Sequence, residues 1–219
     1  MPRAIAIFDF DGTLIPNPSS EWRFIRLLVR RRRLGLRDLL RSAAFTVRWW
    51  PRYGRHVLKK NKAYLAGMKV AEAEALAREF VPEIVLPLLR PAVMERLRRH
   101  QAGGDTVALL TGAPAFIARP ICDALRIEHC IACECETNGG RFSPRPPPQH
   151  PFAEEKLVLA QRLCEKLGYR MNQVTAYSDS IHDRALLSVA GVPVAVFPDR
   201  ALAALARQRS WAIIQAERK

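Results

Sequence analysis

Two aspartates, Asp9 and Asp11, close the first apolar run of the chain, Ala4-Ile5-Ala6-Ile7-Phe8-Asp9-Phe10-Asp11-Gly12-Thr13-Leu14. A β-branched-rich strand that stops in Asp-x-Asp-Gly-Thr presents two carboxylates at its C-terminal edge, where open α/β sheets bind ligands. Two like charges that close repel each other unless one holds a proton or a cation sits between them. A hard, oxygen-liganded ion such as Mg²⁺ meets that need. Read alone, the segment also fits a plain Asp-Gly turn at a strand end.

The elements that would position these groups follow along the chain. Thr106-Val107-Ala108-Leu109-Leu110 is a second buried-strand pattern, running into Thr111-Gly112-Ala113-Pro114. A hydroxyl followed by glycine at a strand end offers an O–H and backbone N–H groups to an anion. Lys156 follows a Pro-rich loop and opens a helical pattern with Leu157, Ala160, Leu163 and Leu167 on one face. Val174-Thr175-Ala176-Tyr177-Ser178 is a third strand, and it stops in Asp179-Ser180-Ile181-His182-Asp183, a second pair of carboxylates. Singly, these are a turn, a solvated lysine and a helix cap. In one order they form a set that coincidence does not readily produce.

That ordered set resembles the haloacid dehalogenase (HAD) superfamily of phosphotransferases. Its four motifs correspond to Asp9/Asp11, Thr111, Lys156 and Asp179/Asp183. The long stretch between the first two motifs resembles the helical cap (C1 type, HAD-IB-like) of the phosphoserine-phosphatase-like branch, and Val194-Ala195-Val196-Phe197-Pro198-Asp199 resembles that branch's terminal strand and turn. The resemblance implies an α/β fold: a Rossmann-like parallel sheet core with an inserted α-helical cap. Residues 1–15 and 89–219 would form the core and residues 16–88 the cap.

The resemblance also implies a phosphatase that works through an aspartyl-phosphate intermediate. Asp9 would be the nucleophile and Asp11 the general acid and base. Mg²⁺ would be held by the Asp9 carboxylate, the backbone carbonyl of Asp11 and the Asp179 carboxylate. Thr111, Gly112 and Lys156 would hold phosphate oxygens, and Asp183 would orient Lys156 and a water at the metal. The acid at Asp11 suits a phosphatase rather than a dehalogenase, which attacks carbon and has no use for it. Two positions depart from the pattern. His182 stands where the family leads one to expect Asn. Pro18, with Ser19 and Ser20 beside it, stands where phosphoserine phosphatases carry the acid that receives the substrate amine, which argues against phosphoserine.

The remaining organisation is legible in outline. Ser19 or Ser20 is the expected N-cap of a first helix, and Val70 to Phe80, rich in Ala and Glu, a strong later one. Pro82, Pro87 and Pro91 punctuate the return to an alternating helix–strand core. Asn138 to Pro151, with Gly139-Gly140 and Pro146-Pro147-Pro148, reads as a loop that cannot be helix or central strand.

Composition bounds the rest. The 219-residue chain is 49% hydrophobic, enough for a sizeable core, and has no uncharged apolar run long enough to span a bilayer. No signal segment precedes the first strand, so a cytoplasmic protein is expected. Cys130, Cys133 and Cys135 lack a fourth partner at zinc spacing, so structural thiols are expected. Between Trp22 and Lys62 there are fourteen Arg or Lys residues against one acid, Asp38, while the whole chain nets +14. Leu36, Leu39, Leu40, Ala43, Val47 and Trp50 fall on one helical face there and Arg37, Arg41 and Arg48 on another. Three readings fit this segment. It is a solvated surface, or it makes peripheral contact with an anionic membrane, or it binds nucleic acid, the least favoured because no nucleic-acid fold pattern accompanies the charge. The expected substrate is a small phosphomonoester or an anionic (lyso)phospholipid-type phosphate. The alternative is a non-catalytic binding protein for anionic lipid or nucleic acid on a phosphatase fold.

Overall fold

The computed structural model describes residues 4–215. The strands are β1 (Ile5–Phe8), β2 (Thr106–Pro114), β3 (His129–Cys133), a short antiparallel pair β4 (Thr137–Asn138) and β5 (Arg141–Phe142), then β6 (Val174–Ser178), β7 (Val192–Val196) and β8 (Ala212–Ile214). Six of them form one sheet in the order β3-β2-β1-β6-β7-β8, every neighbouring pair parallel. The fold is thus the α/β, Rossmann-like one expected. All four side chains of β1 are buried, as befits a parallel strand covered on both faces. Phe8 lies level with Leu109 and Tyr177, so the residues that follow these three positions emerge together at one edge of the sheet.

Side chains alternate across the sheet. Ala6 and Phe8 face a cluster with Leu109, Tyr177 and Val194, whereas Ile5 and Ile7 join Ala108, Leu110 and Ala176 on the other side. Helices cover both faces: α1 (Ser20–Arg30), α2 (Leu36–Tyr53), α3 (Val57–Lys60) and α4 (Val70–Phe80) lie between β1 and β2, followed by α5 (Pro91–Ala102), α6 (Ala115–Leu125), α7 (Glu154–Leu167), α8 (Arg184–Val189) and α9 (Arg200–Gln208). Ser19 caps α1 by accepting the Trp22 N–H at 3.3 Å, and α4 has the expected bounds. Leu159, Ala160 and Leu163 give α7 its buried face.

The segment between β1 and β2 leaves and returns at one point, because the Arg90 N–H donates to the Leu14 carbonyl at 2.8 Å. It shares a core with the sheet: Phe24 of α1 meets Phe80 of α4 and Phe116 of α6 edge-on, with ring centroids 5.4 and 5.2 Å apart. Each such pair contributes about 1 kcal/mol beyond its buried area. The expected core range includes residues 1–3 and 216–219, which lie outside the described residues.

Three local features differ from the sequence reading. β2 does not turn at Thr111 but runs on to Pro114, which pairs with Cys133 after an irregularity beyond Leu110. The Gly139-Gly140 loop is the turn of the β4–β5 hairpin, with φ of +55° and +73° at the two glycines, the left-handed pair that a tight hairpin demands. It buries Phe142 and is pinned to the start of α4 by the Val70 N–H, which donates to the Gly140 carbonyl. Finally, the apolar stripe of α2 is not packed: Leu36 is 74% exposed, Val47 77% and Trp50 52%. Helical periodicity identified the stripe, but the buried contact is made by Phe45, with Trp49 and Tyr53 packing beside it on Val57 and Ala63.

Candidate active site

The loop after β1 is the centre of the site. The Asp9 N–H still pairs with the Tyr177 carbonyl at 3.0 Å, so the backbone of Asp9 is held as part of the sheet. The chain then turns tightly, with the N–H groups of Thr13, Leu14 and Ile15 all donating to the Phe10 carbonyl. Gly12 sits at φ +88°, and a Cβ placed on it would lie 2.0 Å from an Asp179 carboxylate oxygen. Only glycine allows that approach. Thr13, fully buried, points its hydroxyl between the two carboxylates, 3.4 Å from Asp9 Oδ2 and 3.2 Å from Asp179 Oδ1.

Lys156, in the first turn of α7, is 3% exposed. Its Nζ lies 2.9 Å from Asp9 Oδ1 and 2.6 Å from Asp183 Oδ2. Asp183 also accepts from the Ser178 hydroxyl, so a single buried carboxylate fixes both the lysine and the end of β6. Thr111 is buried within β2, just past the irregularity after Leu110, and its Oγ1 accepts the Ala113 N–H at 3.1 Å, leaving its own O–H to donate elsewhere. Asp11 is held differently, by the N–H and hydroxyl of Ser20 at the start of α1. The structure therefore brings together Asp9, Asp11, Thr111, Gly112, Lys156, Asp179 and Asp183 around one cavity of about 1040 Å³.

The electrostatics follow from this crowding. Burial raises the Asp9 carboxyl above its ordinary value, against the pull of Lys156 and with the push of Asp183. Burial raises Asp11 to about 6, opposed by the Ser20 hydrogen bonds and reinforced by Asp9. Asp179 rises to about 7, through burial and then the charge of Asp9. Burial alone would push the Lys156 ammonium down, but Asp183 and Asp9 outweigh it and it stays protonated. One cation thus serves a cluster of carboxylates that remains short of positive charge.

A divalent ion fits that shortage. Asp9 and Asp179 share the Thr13 hydroxyl, and each is pushed up partly by its negative neighbours. Among the described residues no three Asp, Glu, His or Cys side chains converge on a metal position. An ion here would therefore rest on two carboxylates, the main-chain carbonyl of Asp11 and water, a set that suits Mg²⁺.

Several residues of the site were not visible in the sequence. Glu21 faces the cavity where no acid was expected, but it is already engaged, accepting from the buried Lys62 ammonium and from the Tyr64 hydroxyl at 2.9 Å. Burial lowers the Lys62 pKa, yet the charge and hydrogen bond of Glu21 more than offset it, so the net shift is upward. His150 is 2% exposed, and its Nδ1 lacks a partner. Burial and the nearby lysines push it far down, so it is a neutral imidazole. His182, exposed beside Phe152 at 4.9 Å between centroids, lies at the rim rather than on the carboxylates. Arg90 stacks 3.7 Å over Phe197 behind Gly12.

The family described as haloacid dehalogenase-like hydrolase matches residues 6–188. Phosphoserine phosphatase SerB1 of Mycobacterium tuberculosis is 31% identical over 96% of this chain and 70% of its own length. Histidinol-phosphatase of Neisseria meningitidis is 28% identical, covering 96% of this chain and 97% of the relative. A crystal structure of a Bordetella pertussis protein of unknown function superposes with a TM-score of 0.82 at 29% identity, covering 98% and 99% of the two chains. A substrate-bound phosphoserine phosphatase, at 14% identity and a TM-score of 0.64 over 98% and 93%, shares the fold. The chain belongs to the haloacid dehalogenase-like hydrolase family, as a phosphatase.

Proposed function

We propose that this phosphatase is a Mg²⁺-dependent phosphomonoester hydrolase acting through an aspartyl-phosphate on Asp9. The observation that carries this reading is the contact of Asp9 with Lys156 at 2.9 Å, in one cavity with Asp11, Thr111 and Asp179. Lys156 and the Thr111 hydroxyl hold the phosphate oxygens, with the Gly112 N–H. Asp9 attacks phosphorus in line and the P–O bond to the leaving group breaks. Asp11, whose carboxyl is raised to about 6 by burial, gives its proton from the acid form to the departing alkoxide, then accepts one from the water that hydrolyses the acyl phosphate. Asp183 keeps Lys156 aimed at the site. Bound Mg²⁺ supplies the charge neutralisation that lets a carboxylate approach a phosphate dianion. Residues 1–15 and 89–219 act as the catalytic core and residues 16–88 as its cap.

The substrate is a small phosphomonoester or an anionic lysophospholipid-type phosphate, met in the cytoplasm. A second reading concerns where the enzyme works. The exposed Val47 and Trp50 of α2, with Arg48 and Arg52 beside them, have the make-up of a helix resting on anionic lipid. No described helix is long and apolar enough to cross a membrane. Retention by anionic but not zwitterionic vesicles at low salt tests peripheral contact; equal retention by duplex DNA would instead favour phosphate-backbone binding.

The decisive experiment is phosphate release with and without Mg²⁺ by wild type and Asp9→Asn, across soluble phosphomonoesters. Release that needs Mg²⁺ and falls by at least ~10³-fold in the variant is expected. Unchanged release by Asp9→Asn would overturn the reading, and inactive, folded wild type would favour a binding protein.

A further inference from the structure

The cavity over Asp9 is not uniform. Its inner part carries the carboxylates, Thr111 and Lys156; its outer wing runs between α1 and the start of α2 and is walled by Trp22, Ile25, Val29, Leu36, Leu39 and Leu58. All but Ile25 are more than half exposed, so the wing is an open apolar trough rather than a packed seam. At about 1040 Å³ the whole cavity stands at the top of the range for small-molecule sites, far larger than a compact polar phosphate ester needs.

Charge in the wing points the same way. A polar substrate bearing an amine would be received best by a carboxylate free of other partners, and each acid lining the cavity outside the catalytic cluster already accepts hydrogen bonds. Glu21 is taken by Lys62 and Tyr64. Asp38 accepts the Gly35 N–H at 3.0 Å and an Arg41 N–H at 3.2 Å. Asp199 caps α9 through the Leu202 N–H at 2.8 Å and holds the Ile181 N–H at 2.9 Å. The remaining charged groups lining the cavity outside the catalytic cluster are Lys59 and Lys62.

We infer that the substrate is an amphiphile: a phosphomonoester whose phosphate sits on Asp9 and whose apolar tail lies in the trough of Trp22, Leu36 and Leu39. This rests on the phosphatase reading above and narrows its substrate class. The occupant is fixed by continuity, because trough and phosphate site are one cavity, so a tail joined to the phosphate reaches the apolar wall without crossing solvent. The trough also explains why the apolar face of α2 begins exposed at Leu36 and Leu39, since a substrate covers it only during turnover.

The test is a series of monoalkyl phosphates from ethyl to decyl, held below their critical micelle concentrations, assayed beside p-nitrophenyl phosphate. A fully buried methylene is worth about fourfold in binding, and an open trough should give about twofold per methylene in kcat/KM. In Leu36→Ser/Leu39→Ser the decyl-to-ethyl ratio should fall several-fold; these side chains are exposed, so folding is not at stake, and Trp22→Ala provides an independent second variant. A flat series with p-nitrophenyl phosphate hydrolysed overturns the amphiphile inference and leaves the phosphatase reading intact. The same flat series with a stable dimer in solution would assign the apolar face to a second copy, again overturning it. A slope preserved in both variants places the tail elsewhere and also overturns it. No hydrolysis of any ester overturns the phosphatase reading, and this inference with it.

Discussion

The Asp11 carboxylate is seated on the first turn of α1: Oδ1 accepts the Ser20 N–H at 2.6 Å and Oδ2 the Ser20 hydroxyl at 3.2 Å. An acid meant to protonate a leaving group is thereby tied to the first helix of the inserted segment. Burial raises it to about 6, and the Ser20 bonds restrain it from going higher, because they favour the charged form.

That relationship predicts a pH limb. For an alkyl phosphate, whose leaving group needs a proton, kcat/KM should decline as pH rises through about 6. For p-nitrophenyl phosphate, a far better leaving group, the decline should be shallow. Ser20→Ala removes one bond to the charged form, so its limb should move to higher pH, while Asp11→Asn should lose the limb along with ~10²-fold or more of alkyl phosphate turnover. Coincident pH profiles for the two substrates would sink the assignment.

Metal and stability should be linked through Asp179. Its carboxyl stands at about 7 in the fold against an ordinary 3.8, so the folded state binds this proton more tightly than the unfolded one. The stability it provides is complete below the ordinary value and is lost as pH rises through about 7, by about 4 kcal/mol at most. Thermal melts in EDTA should therefore drop between acid and mildly alkaline pH. Saturating Mg²⁺ should restore the loss, by about 2.7 kcal/mol at a hundredfold excess over Kd. Asp179→Asn should flatten both the pH dependence and the Mg²⁺ response; a retained Mg²⁺ response would contradict it.

Much of this was legible in the sequence, and the reasons are physical. Short parallel strands buried on both faces must be continuous apolar runs, so β1, β6 and the first part of β2 announced themselves, and the residues ending them had to share one edge. Ser19 and the Ala/Glu-rich α4 obeyed local rules. What periodicity could not supply was the identity of the covering partner. It marked Leu36, Leu39 and Val47 as one face without revealing that among the described residues they stay largely exposed. Nor could it find Glu21, Lys62 and Tyr64, whose association depends on how distant segments cross.

That buried group makes its own prediction. Glu21→Gln should leave the Lys62 ammonium without its counter-charge, costing about 3 kcal/mol in urea titrations at neutral pH. With Glu21 gone, burial dominates and lowers the Lys62 pKa, so the loss should shrink as pH rises and the amine turns neutral. Glu21→Leu combined with Lys62→Met should recover most of the stability. A double variant no better than Glu21→Gln alone would show that the pair is not acting as a unit.

Gly12→Ala isolates the closest approach in the site. The added methyl would collide with the Asp179 carboxylate and sit at an unfavourable φ of +88°. A loss of about 2–4 kcal/mol is expected, together with the Mg²⁺-induced rise in Tm. A melt indistinguishable from wild type would mean the loop relaxes at no cost.

The hydrogen bond from Arg90 to Leu14 has a consequence for how such a molecule could be remodelled. The excursion that carries the apolar trough begins and ends at the same place, so the chain enters and leaves it at one point of the core. Selectivity and chemistry are then separable parts: a different excursion grafted at Leu14 and Arg90 would inherit the aspartates unchanged. The graft must still supply counterparts of Phe24 and Phe80 for Phe116, and a donor for Asp11 at the position of Ser20.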